Sequence, residues 1–271
     1  MQVKIGAPVG GRNNPLYTRE SCAFPARGEG GPARAERAPM KALRVSVDAP
    51  VASFRYPHFL VGRQVSYPAP PPTTVRGLLA SALGLHSCPA ERTVAYRFTC
   101  LARVDDLEHQ HLLAPSGGTL PGTRLPKVVE GAVNPVRREM LFGCRLELLV
   151  AGGDLDHLAQ ALHAPAFAMS LGRSQDLAAV TAQGTVDLVE AAGGYYEDAL
   201  LPGALRVAVR HGLGLVMPVA LGPPPERAVE FGGVVWVEGH TTHDGPGPVL
   251  VDPDSPLRNG QARAVAFFAA L

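Results

Sequence analysis

The alternation of apolar and polar residues predicts a first strand just after residue 40. Leu43, Val45 and Val47 alternate with polar neighbours, which is typical of a half-buried strand. Residues 1–39 have no such periodicity and are rich in Gly, Arg, Pro and Ala, so we expect a disordered leader. Its six basic and three acidic residues favour an RNA-binding arm, whereas Met40, placed directly before the strand, favours an upstream-start artefact.

A helix is predicted after a long loop, because apolar residues recur there at every third or fourth position. The predicted buried face consists of Val75, Leu78, Leu79, Ala82 and Leu83. Thr73 or Thr74 is a suitable N-cap for this helix, and Gly84 is a suitable residue to end it.

The remaining pattern completes an alternating series of strands and helices. We predict strands at 94–104, 144–150 and 166–170, and a helix capped by Asp154 with Leu155, Leu158, Ala159 and Leu162 on its apolar face. The order β-α-β-β-α-β is the ferredoxin-like arrangement of RRM-type RNA-binding domains. We therefore predict an α+β fold with an RRM-like RNA-binding domain at 40–178. A smaller β-rich subdomain is expected at 179–271, where Gly and Pro are frequent.

An insertion at 105–136 separates the second and third predicted strands. It has roughly thirty residues, too many for a tight hairpin, and loops of this length are usually functional or disordered. Basic residues lie in it or just after it: Arg124, Lys127, Arg137 and Arg138. Two interpretations remain open, a mobile thumb that grips a partner or nucleic acid, and a plain surface loop.

Composition limits the function classes. The hydrophobic fraction of 46% fits a folded soluble protein, and the net charge of +1 argues against a general duplex-coating protein without excluding a local basic groove. The cysteines Cys22, Cys88, Cys100 and Cys144 are far apart and form no C-x-x-C pair, so we expect neither a zinc site nor disulfides, and no cofactor. No apolar run has membrane-spanning length and no signal peptide is evident, so a cytoplasmic protein is expected.

The segment from Ala49 to Ala90 contains no Asp or Glu, while Arg55, Arg63 and Arg76 make it positive, which indicates a polyanionic partner. The proline run at 68–72 predicts an extended approach to the helix start, whose free N–H groups can bind phosphate. The hydroxyls of the threonine pair add donors there. The alternative is that these prolines and threonines only begin a helix.

A second candidate motif is SLGRSQDL, Ser170 to Leu177. A turn at Gly172, Arg173 and Ser174 would offer backbone amides and a guanidinium to a phosphate or a base edge. The alternative is an ordinary β-turn with a solvated arginine.

These segments carry a resemblance to a known family. FRYPHFLVGRQVSYPAPPPTTVRGLLASALG, NPVRREMLFGCRLELLV and SLGRSQDL together resemble the fifth-numbered family of CRISPR-associated proteins. The most specific part is the series Gln64, Tyr67, Pro70, Pro71, Pro72, Thr73, Thr74, Gly77 and Leu78. The resemblance extends over roughly 41–260 and is weakest after 180.

The resemblance implies a subunit of the type I Cascade surveillance complex, a ribonucleoprotein of antiviral defence, and the sequence resembles the B-type branch more than the E-type. Such a subunit binds the 5′ handle of CRISPR RNA (crRNA) and links the backbone subunit to the large subunit, meeting target DNA only indirectly. The implied fold is an RRM-like domain with a β-hairpin thumb at 105–136 and a C-terminal β region. The implied RNA-binding residues are Arg55, Arg63, Gln64, Tyr67, Thr73, Thr74, Arg76, Arg173 and Ser174, with Arg124, Lys127, Arg137 and Arg138 on the thumb.

Two alternatives to a non-catalytic binder stay open. One branch of the family cuts repeat RNA without metal, using Tyr, Lys and His; the candidates here are Tyr56, His58, Tyr67, His109, His111 and Lys127. Their spacing does not bring such a set together, and no metal signature lies near the motif, so we expect no catalytic residues. A general RRM-type RNA-binding protein is the second alternative, although the third strand, MLFGCRLELLV, lacks the aromatic signature of that class.

Overall fold

The structure is a computed structural model that describes residues 39–58, 62–222 and 226–268. Nearly all of the predicted leader lies outside the described residues. The strands are β1 Met40–Ala52, β2 Arg63–Gln64, β3 Thr93–Thr99, β4 Ala102–Thr119, β5 Pro126–Ala151, β6 Ala179–Ala191, β7 Tyr195–Glu197, β8 Ala199–Pro202, β9 Leu213–Leu221, β10 Val229–Trp236, β11 His240–Thr242, β12 Val249–Asp252 and β13 Arg263–Ala264. The helices are α1 Pro72–Leu83 and α2 Leu155–His163, with a short 3-10 helix at Gly203–Ala208. The predicted α+β class is confirmed.

The strands form one mixed sheet in the order β11-β7-β13-β12-β6-β1-β5-β3-β8-β10-β9, with β2 and β4 also paired to β5. At its centre are β6, β1, β5 and β3, and each of these strands is antiparallel to its neighbour. Helix α1 lies between β1 and β3 in sequence, and α2 lies between β5 and β6. Strand β6 pairs with β1 from Met40 to Asp48, so strands from both sides of residue 178 belong to the same sheet. The domain boundary predicted at residue 178 stays a prediction.

Helix α1 begins earlier than predicted. Pro71 is the N-cap and no side chain caps the helix, so the predicted caps Thr73 and Thr74 are wrong. The reason is that Pro72 occupies the first turn, where its restricted φ already suits a helix and its missing N–H costs nothing. The predicted end is confirmed, since Gly84 is left-handed with φ 69°.

The second half of the central domain shows one further agreement and one error. Asp154 caps α2 as predicted, and its carboxylate accepts the N–H of His157 at 2.9 Å. The strand predicted at 166–170 is wrong, because only an isolated bridge joins Ser170 to Leu177 there. The fourth central strand is β6, whose place beside β1 is decided by pairing rather than by its own weakly apolar sequence.

The predicted second strand and the insertion after it are organised differently from the sequence prediction. The chain turns at Cys100 and Leu101, so that β3 and β4 are separate strands. Strand β4 then pairs with β5 from Ala102↔Phe142 out to Thr119↔Pro126, which forms a long two-stranded β4–β5 hairpin. The expectation that the insertion is too long for a tight hairpin is therefore wrong. Most of its residues lie in the two strands, and only residues 120–125 connect them.

The main core lies between the helices and one face of the central sheet. It includes Leu43 of β1, Leu79 of α1, Leu146 of β5 and Leu158 of α2, all buried. Burial of about 25 cal/mol per Å² of apolar area makes this cluster the main stabilising contribution to the domain. Among the described residues, no helix is long and apolar enough to cross a membrane.

Candidate functional site

Three separate stretches of sequence meet where the β4–β5 hairpin leaves the sheet. Strand β2 pairs in parallel with Arg137 and Arg138 of β5. The backbone at 53–55 bridges to Ser66, and the turn at Gly172 lies so close to Ser53 that an added Cβ would be 2.9 Å from the Ser53 carbonyl oxygen. We call this region, residues 53–56, 63–67, 103–108, 137–141 and 172–176, the hairpin base.

Glu139 joins the loop before α1 to the hairpin. Its Oε2 accepts the backbone N–H of Ser66 at 3.0 Å, and its carbonyl oxygen accepts the Ser53 hydroxyl at 2.9 Å. The Ser66 hydroxyl in turn accepts the N–H of Phe54 at 2.9 Å. These bonds satisfy backbone groups that have no strand partner, so they hold the loop in place.

The predicted acid-free window is not acid-free in three dimensions. Arg63 donates from Nε to both carboxylate oxygens of Asp105 at 2.9 Å, and its Nη2 lies 3.9 Å from Glu139. The hydrogen bond with Asp105 raises the pKa of Arg63 and lowers that of Asp105. The positive charge of Arg63 is therefore balanced by carboxylates that follow it by some forty and seventy residues.

The arginine of the SLGRSQDL turn is also ion-paired. Arg173 donates to the two carboxylate oxygens of Asp176 at 2.8 and 2.7 Å, and to Glu108 at 3.3 Å. The bond to Asp176 is the main reason that the pKa of Arg173 is raised. The other carboxylate oxygen of Glu108 accepts from the buried Arg138. The turn is therefore fastened to the hairpin by charge, which neither interpretation of the motif anticipated.

Other basic side chains remain exposed and have no ion pair among the described residues. They are Arg55, Arg103 and Arg137 at the hairpin base, with Arg124 and Lys127 further along the hairpin. Arg103 and Arg137 lie on the same face of the hairpin, because Arg103 is opposite Leu141 and Arg137 is opposite Leu107. The sequence did not single out Arg103, because the strand predicted at 94–104 placed it among several polar residues on the other face of that strand.

The residues of the proline-threonine motif are largely buried. Tyr67 is 0% exposed, and its hydroxyl donates to the carbonyl oxygen of Val216 at 2.9 Å. Thr73 Oγ1 lies 3.4 Å from the carbonyl oxygen of Pro218, two residues further along β9. The start of α1 thus lies against β9, and two of its first N–H groups, those of Thr74 and Val75, are already bonded to the Pro71 carbonyl oxygen.

The side chains of Gln64 and Arg76 also lie against other parts of the protein. Gln64 is 1% exposed, and its Oε1 has no hydrogen-bond partner among the described residues. Arg76 donates to the carbonyl oxygens of Arg92 at 3.1 Å and of Cys88 and Pro89 at 3.5 Å. Of the remaining predicted residues, Thr74 is half-buried in the first turn of α1, and Ser174 is exposed beside Arg173.

The candidate catalytic groups are only partly brought together. The rings of Tyr56 and Tyr67 have centroids 3.7 Å apart, and the His58 ring is 6.0 Å from that of Tyr56. Burial raises the pKa of Tyr67 to about 12 and also raises that of Tyr56. Both phenols therefore stay protonated near neutral pH and are poor general bases. Lys127 is near the far end of the hairpin, where its carbonyl oxygen accepts the Ser116 hydroxyl.

Residues 42–102 match the family described as CRISPR-associated protein (Cas_Cas5). This segment includes most of β1, the proline run, α1 and β3. The resemblance seen in the sequence is therefore confirmed across this segment, and it contains Arg55, Tyr67 and the threonine pair. No curated protein matches the chain.

Similar solved structures include a chain of a "CRISPR RNA-guided surveillance complex", with 16% identity, a TM-score of 0.48, and coverage of 81% of this chain and 95% of that one. A "Crystal structure of Cas protein" shares 20% identity at a TM-score of 0.37, covering 72% and 94%. A CRISPR protein from Archaeoglobus fulgidus shares 10% identity at a TM-score of 0.44, covering 85% and 100%.

Proposed function

We propose that this Cas5-like protein is a non-catalytic subunit of a CRISPR ribonucleoprotein and binds the 5′ handle of crRNA. The observation that carries this proposal is the set of unpaired cations at the hairpin base, Arg55, Arg103 and Arg137. Exposed guanidinium groups without a carboxylate partner are suited to phosphate, which they bind through paired N–H donors. With a net charge of +1, this protein would bind RNA locally rather than along its whole surface.

In this proposal the central strands form a ferredoxin-like, RRM-type domain. The order β6-β1-β5-β3, with one helix after β1 and one after β5, supports that assignment. The β4–β5 hairpin, which contains residues 105–136, acts as the thumb, and residues 179–271 act as the C-terminal β-rich subdomain. The RNA would lie against the hairpin base, where the Cas5-family segment meets the thumb.

The predicted RNA-binding residues divide into two roles. Arg55 and Arg137 would contact phosphate, with Ser174 at the edge of the surface. Arg63, Arg138 and Arg173 would hold the hairpin base through Asp105, Glu108 and Asp176. The buried motif residues Gln64, Tyr67, Thr73, Thr74 and Arg76 would shape the loop and helix behind that surface.

The thumb supports a role in assembly. Beyond the hairpin base no other described strand or helix covers it, yet it exposes large apolar side chains: Leu112, Leu113, Leu120, Leu125, Val128 and Val133. Isolated hairpins are marginal in water, and contiguous apolar surface usually marks an interaction site. We infer that the thumb packs against the backbone subunit, and that the protein connects this subunit with the large subunit.

RNA binding is tested with Arg55→Ala combined with Arg137→Ala. We expect affinity for repeat-derived RNA to fall about tenfold or more, and the salt slope to decrease by about 1.4, since each lost single-strand phosphate contact removes about 0.7. Fluorescence anisotropy over a series of salt concentrations measures both. The control is Lys41→Ala with Arg206→Ala, which removes the same charge from exposed positions outside the hairpin base that form no ion pair with another described residue. Unchanged affinity and slope in the first variant would contradict the proposed site.

Assembly is tested by deleting Gly117–Glu130, the outer part of the thumb. We expect a folded protein, by circular dichroism, that no longer co-purifies with the backbone subunit. Normal co-purification would contradict the proposed role of the thumb in assembly.

The absence of catalysis is tested by incubating the intact protein with labelled repeat RNA in EDTA. Cleavage would contradict the non-catalytic role and would indicate a metal-independent endoribonuclease instead.

A further inference from the structure

A cleft opens beside the hairpin base, at the corner between β3 and β4. Its volume is about 420 Å³, and its lining includes Pro68, Phe98, Leu101, Arg103, Trp236 and Glu238. Leu101 is 88% exposed at the mouth, whereas Phe98 and Trp236 belong to the core cluster. The cleft thus has an apolar floor and a partly charged rim, which is the usual make-up of a small-ligand site.

Polar groups around the cleft lack partners. Arg103 and Glu238 are exposed and make no ion pair with any described residue, although both line the same cleft. The indole Nε1 of Trp236 is buried and has no acceptor among the described residues. A buried donor without an acceptor is unfavourable by about 1–3 kcal/mol, and such groups in native structures call for an explanation. A bound ligand with an acceptor oxygen would provide one.

Asp198 supplies a second, independent sign of a binding site. It lines the cleft with a φ of 45°, a left-handed conformation that is rare for a residue other than glycine. The conformation is held from three sides: the Asp198 N–H donates to Gly239 O at 2.7 Å, Oδ1 accepts Gly239 N–H at 2.8 Å, and the Asp198 carbonyl accepts Phe98 N–H at 2.8 Å. Strain of this kind concentrates at functional sites, and Oδ2 of Asp198 makes no hydrogen bond within the part of the chain that the structure describes.

We propose that this cleft holds one unpaired nucleotide of the bound RNA, with a base that carries both an exocyclic amine and a carbonyl group. The inference rests on the proposed RNA-binding function. Arg103 connects the two sites, because it lies on the hairpin-base face and also lines the cleft. It would bind the phosphate of the nucleotide. An RNA strand that runs from Arg137 to Arg103 would pass Asp105, whose charge is balanced by Arg63, before it reaches the cleft.

The donors and acceptors of the cleft define the base. The carboxylates of Asp198 and Glu238 can accept hydrogen bonds from an exocyclic amine, and the buried Trp236 N–H would donate to a carbonyl oxygen once the indole reorients towards the ligand. Leu101 would cover the outer face of the base. Cytosine and guanine carry both groups, whereas uracil has no exocyclic amine and adenine has no carbonyl. The cleft should therefore prefer cytosine or guanine.

The test uses the intrinsic fluorescence of the protein, because Trp236 is its single tryptophan. Labelled octamers of cytidine, uridine and adenosine are titrated into the full-length protein, and anisotropy and tryptophan emission are recorded together. We expect oligocytidine to change the emission with the same midpoint as the anisotropy, and to bind about tenfold more tightly than oligouridine. Cytidine 5′-monophosphate alone should give the same emission change at higher concentration.

Variants separate the cleft from the rest of the RNA surface. Glu238→Gln, at an exposed position that folding tolerates, should remove most of the preference for cytidine over uridine. The control Glu230→Gln, an exposed glutamate on β10, should leave it unchanged. Arg103→Ala should weaken cytidine monophosphate binding.

The outcomes distinguish the two proposals. RNA binding with no change in tryptophan emission, and with equal base preference in Glu238→Gln, would overturn the cleft and leave RNA binding in place. A response to cytidine monophosphate without any RNA binding would support the cleft and remove the proposed function. Failure of both ligands would overturn both.

Discussion

At the residue scale, arginines that look equivalent in the sequence have different roles in the structure. Arg55 and Arg63 lie eight residues apart in one acid-free stretch, yet Arg63 is held by Asp105 and Arg55 has no ion pair among the described residues. Tyr67 shows the same contrast among the motif residues, because it is buried against β9 instead of lining the surface. Partners distant in sequence assign these roles.

The hydroxyl of Tyr67 should contribute to stability and not to RNA binding. Tyr67→Phe removes its hydrogen bond to Val216, and we expect the free energy of unfolding to fall by about 1 kcal/mol. Urea denaturation measures this, and anisotropy should show unchanged RNA affinity. Arg55→Ala is the reciprocal variant: its stability should stay within about 0.5 kcal/mol of the parent while its RNA affinity falls. Weaker RNA binding in a fully stable Tyr67→Phe protein would show that Tyr67 contacts the ligand.

The ion pair between Arg63 and Asp105 should be visible in the acid titration. The Arg63 hydrogen bond keeps the pKa of Asp105 below its ordinary value of 3.8. A lowered carboxyl pKa stabilises the fold above the unfolded pKa, and this contribution is lost as pH falls through the folded pKa, below about pH 4. In Arg63→Ala the pKa of Asp105 should rise, as measured by NMR titration of the carboxyl carbon. In the control Arg124→Ala it should not move. The same Asp105 pKa in all three proteins would mean that the pair does not persist in solution.

At the element scale, the β4–β5 hairpin differs most from its sequence prediction. Its strands contain polar and apolar residues without a consistent alternation, since much of the hairpin has no buried face to impose one. The turn at 170–177 is the opposite case, because its conformation depends on close contact with the loop before α1. Gly172 is left-handed at φ 102° and sits against Ser53.

A matched pair of glycines tests this contact. Gly172 and Gly184 have similar φ values, 102° and 99°, but only Gly172 has atoms within 4 Å of an added Cβ. Both alanine variants carry a backbone strain of about 1 kcal/mol. Because Gly172→Ala adds the clash with Ser53, its free energy of unfolding should fall by about 1–3 kcal/mol more than that of Gly184→Ala. Urea denaturation compares the two. Equal losses would mean that the turn moves away from Ser53 at little cost.

At the scale of the whole molecule, ion pairs join the central sheet to the C-terminal strands. Asp252 of β12 is 0% exposed and accepts from Arg44 of β1 at 2.9 Å and from Arg263 of β13 at 3.2 Å. Arg263 also lies 3.6 Å from Glu147 of β5. Residues about two hundred positions apart are thus linked across the predicted boundary at 178.

Removal of the buried carboxylate should therefore destabilise the entire fold. Asp252→Ala takes the buried carboxylate away from Arg44 and Arg263, each of which keeps only a more distant carboxylate at 3.6 Å. We expect the free energy of unfolding to fall by about 3–5 kcal/mol. The control is Asp48→Ala, which breaks the exposed pair with Arg145 and should cost less than about 1 kcal/mol. Guanidinium denaturation followed by circular dichroism measures both. A loss as small as that of the control would show that the C-terminal strands contribute little to the stability of the central sheet.

The sequence by itself determined the features that depend on neighbours within a few residues. The alternation of β1, the apolar face of α1, its end at Gly84 and the Asp154 cap follow from local periodicity and capping. The segment that matches the Cas5 family model, 42–102, includes α1 and most of β1. The place of β6 beside β1, the turn between β3 and β4, and the role of each arginine were decided only by the tertiary structure. The physical reason is that strand pairing and ion pairing depend on distances in space, and here they join residues from forty to two hundred positions apart.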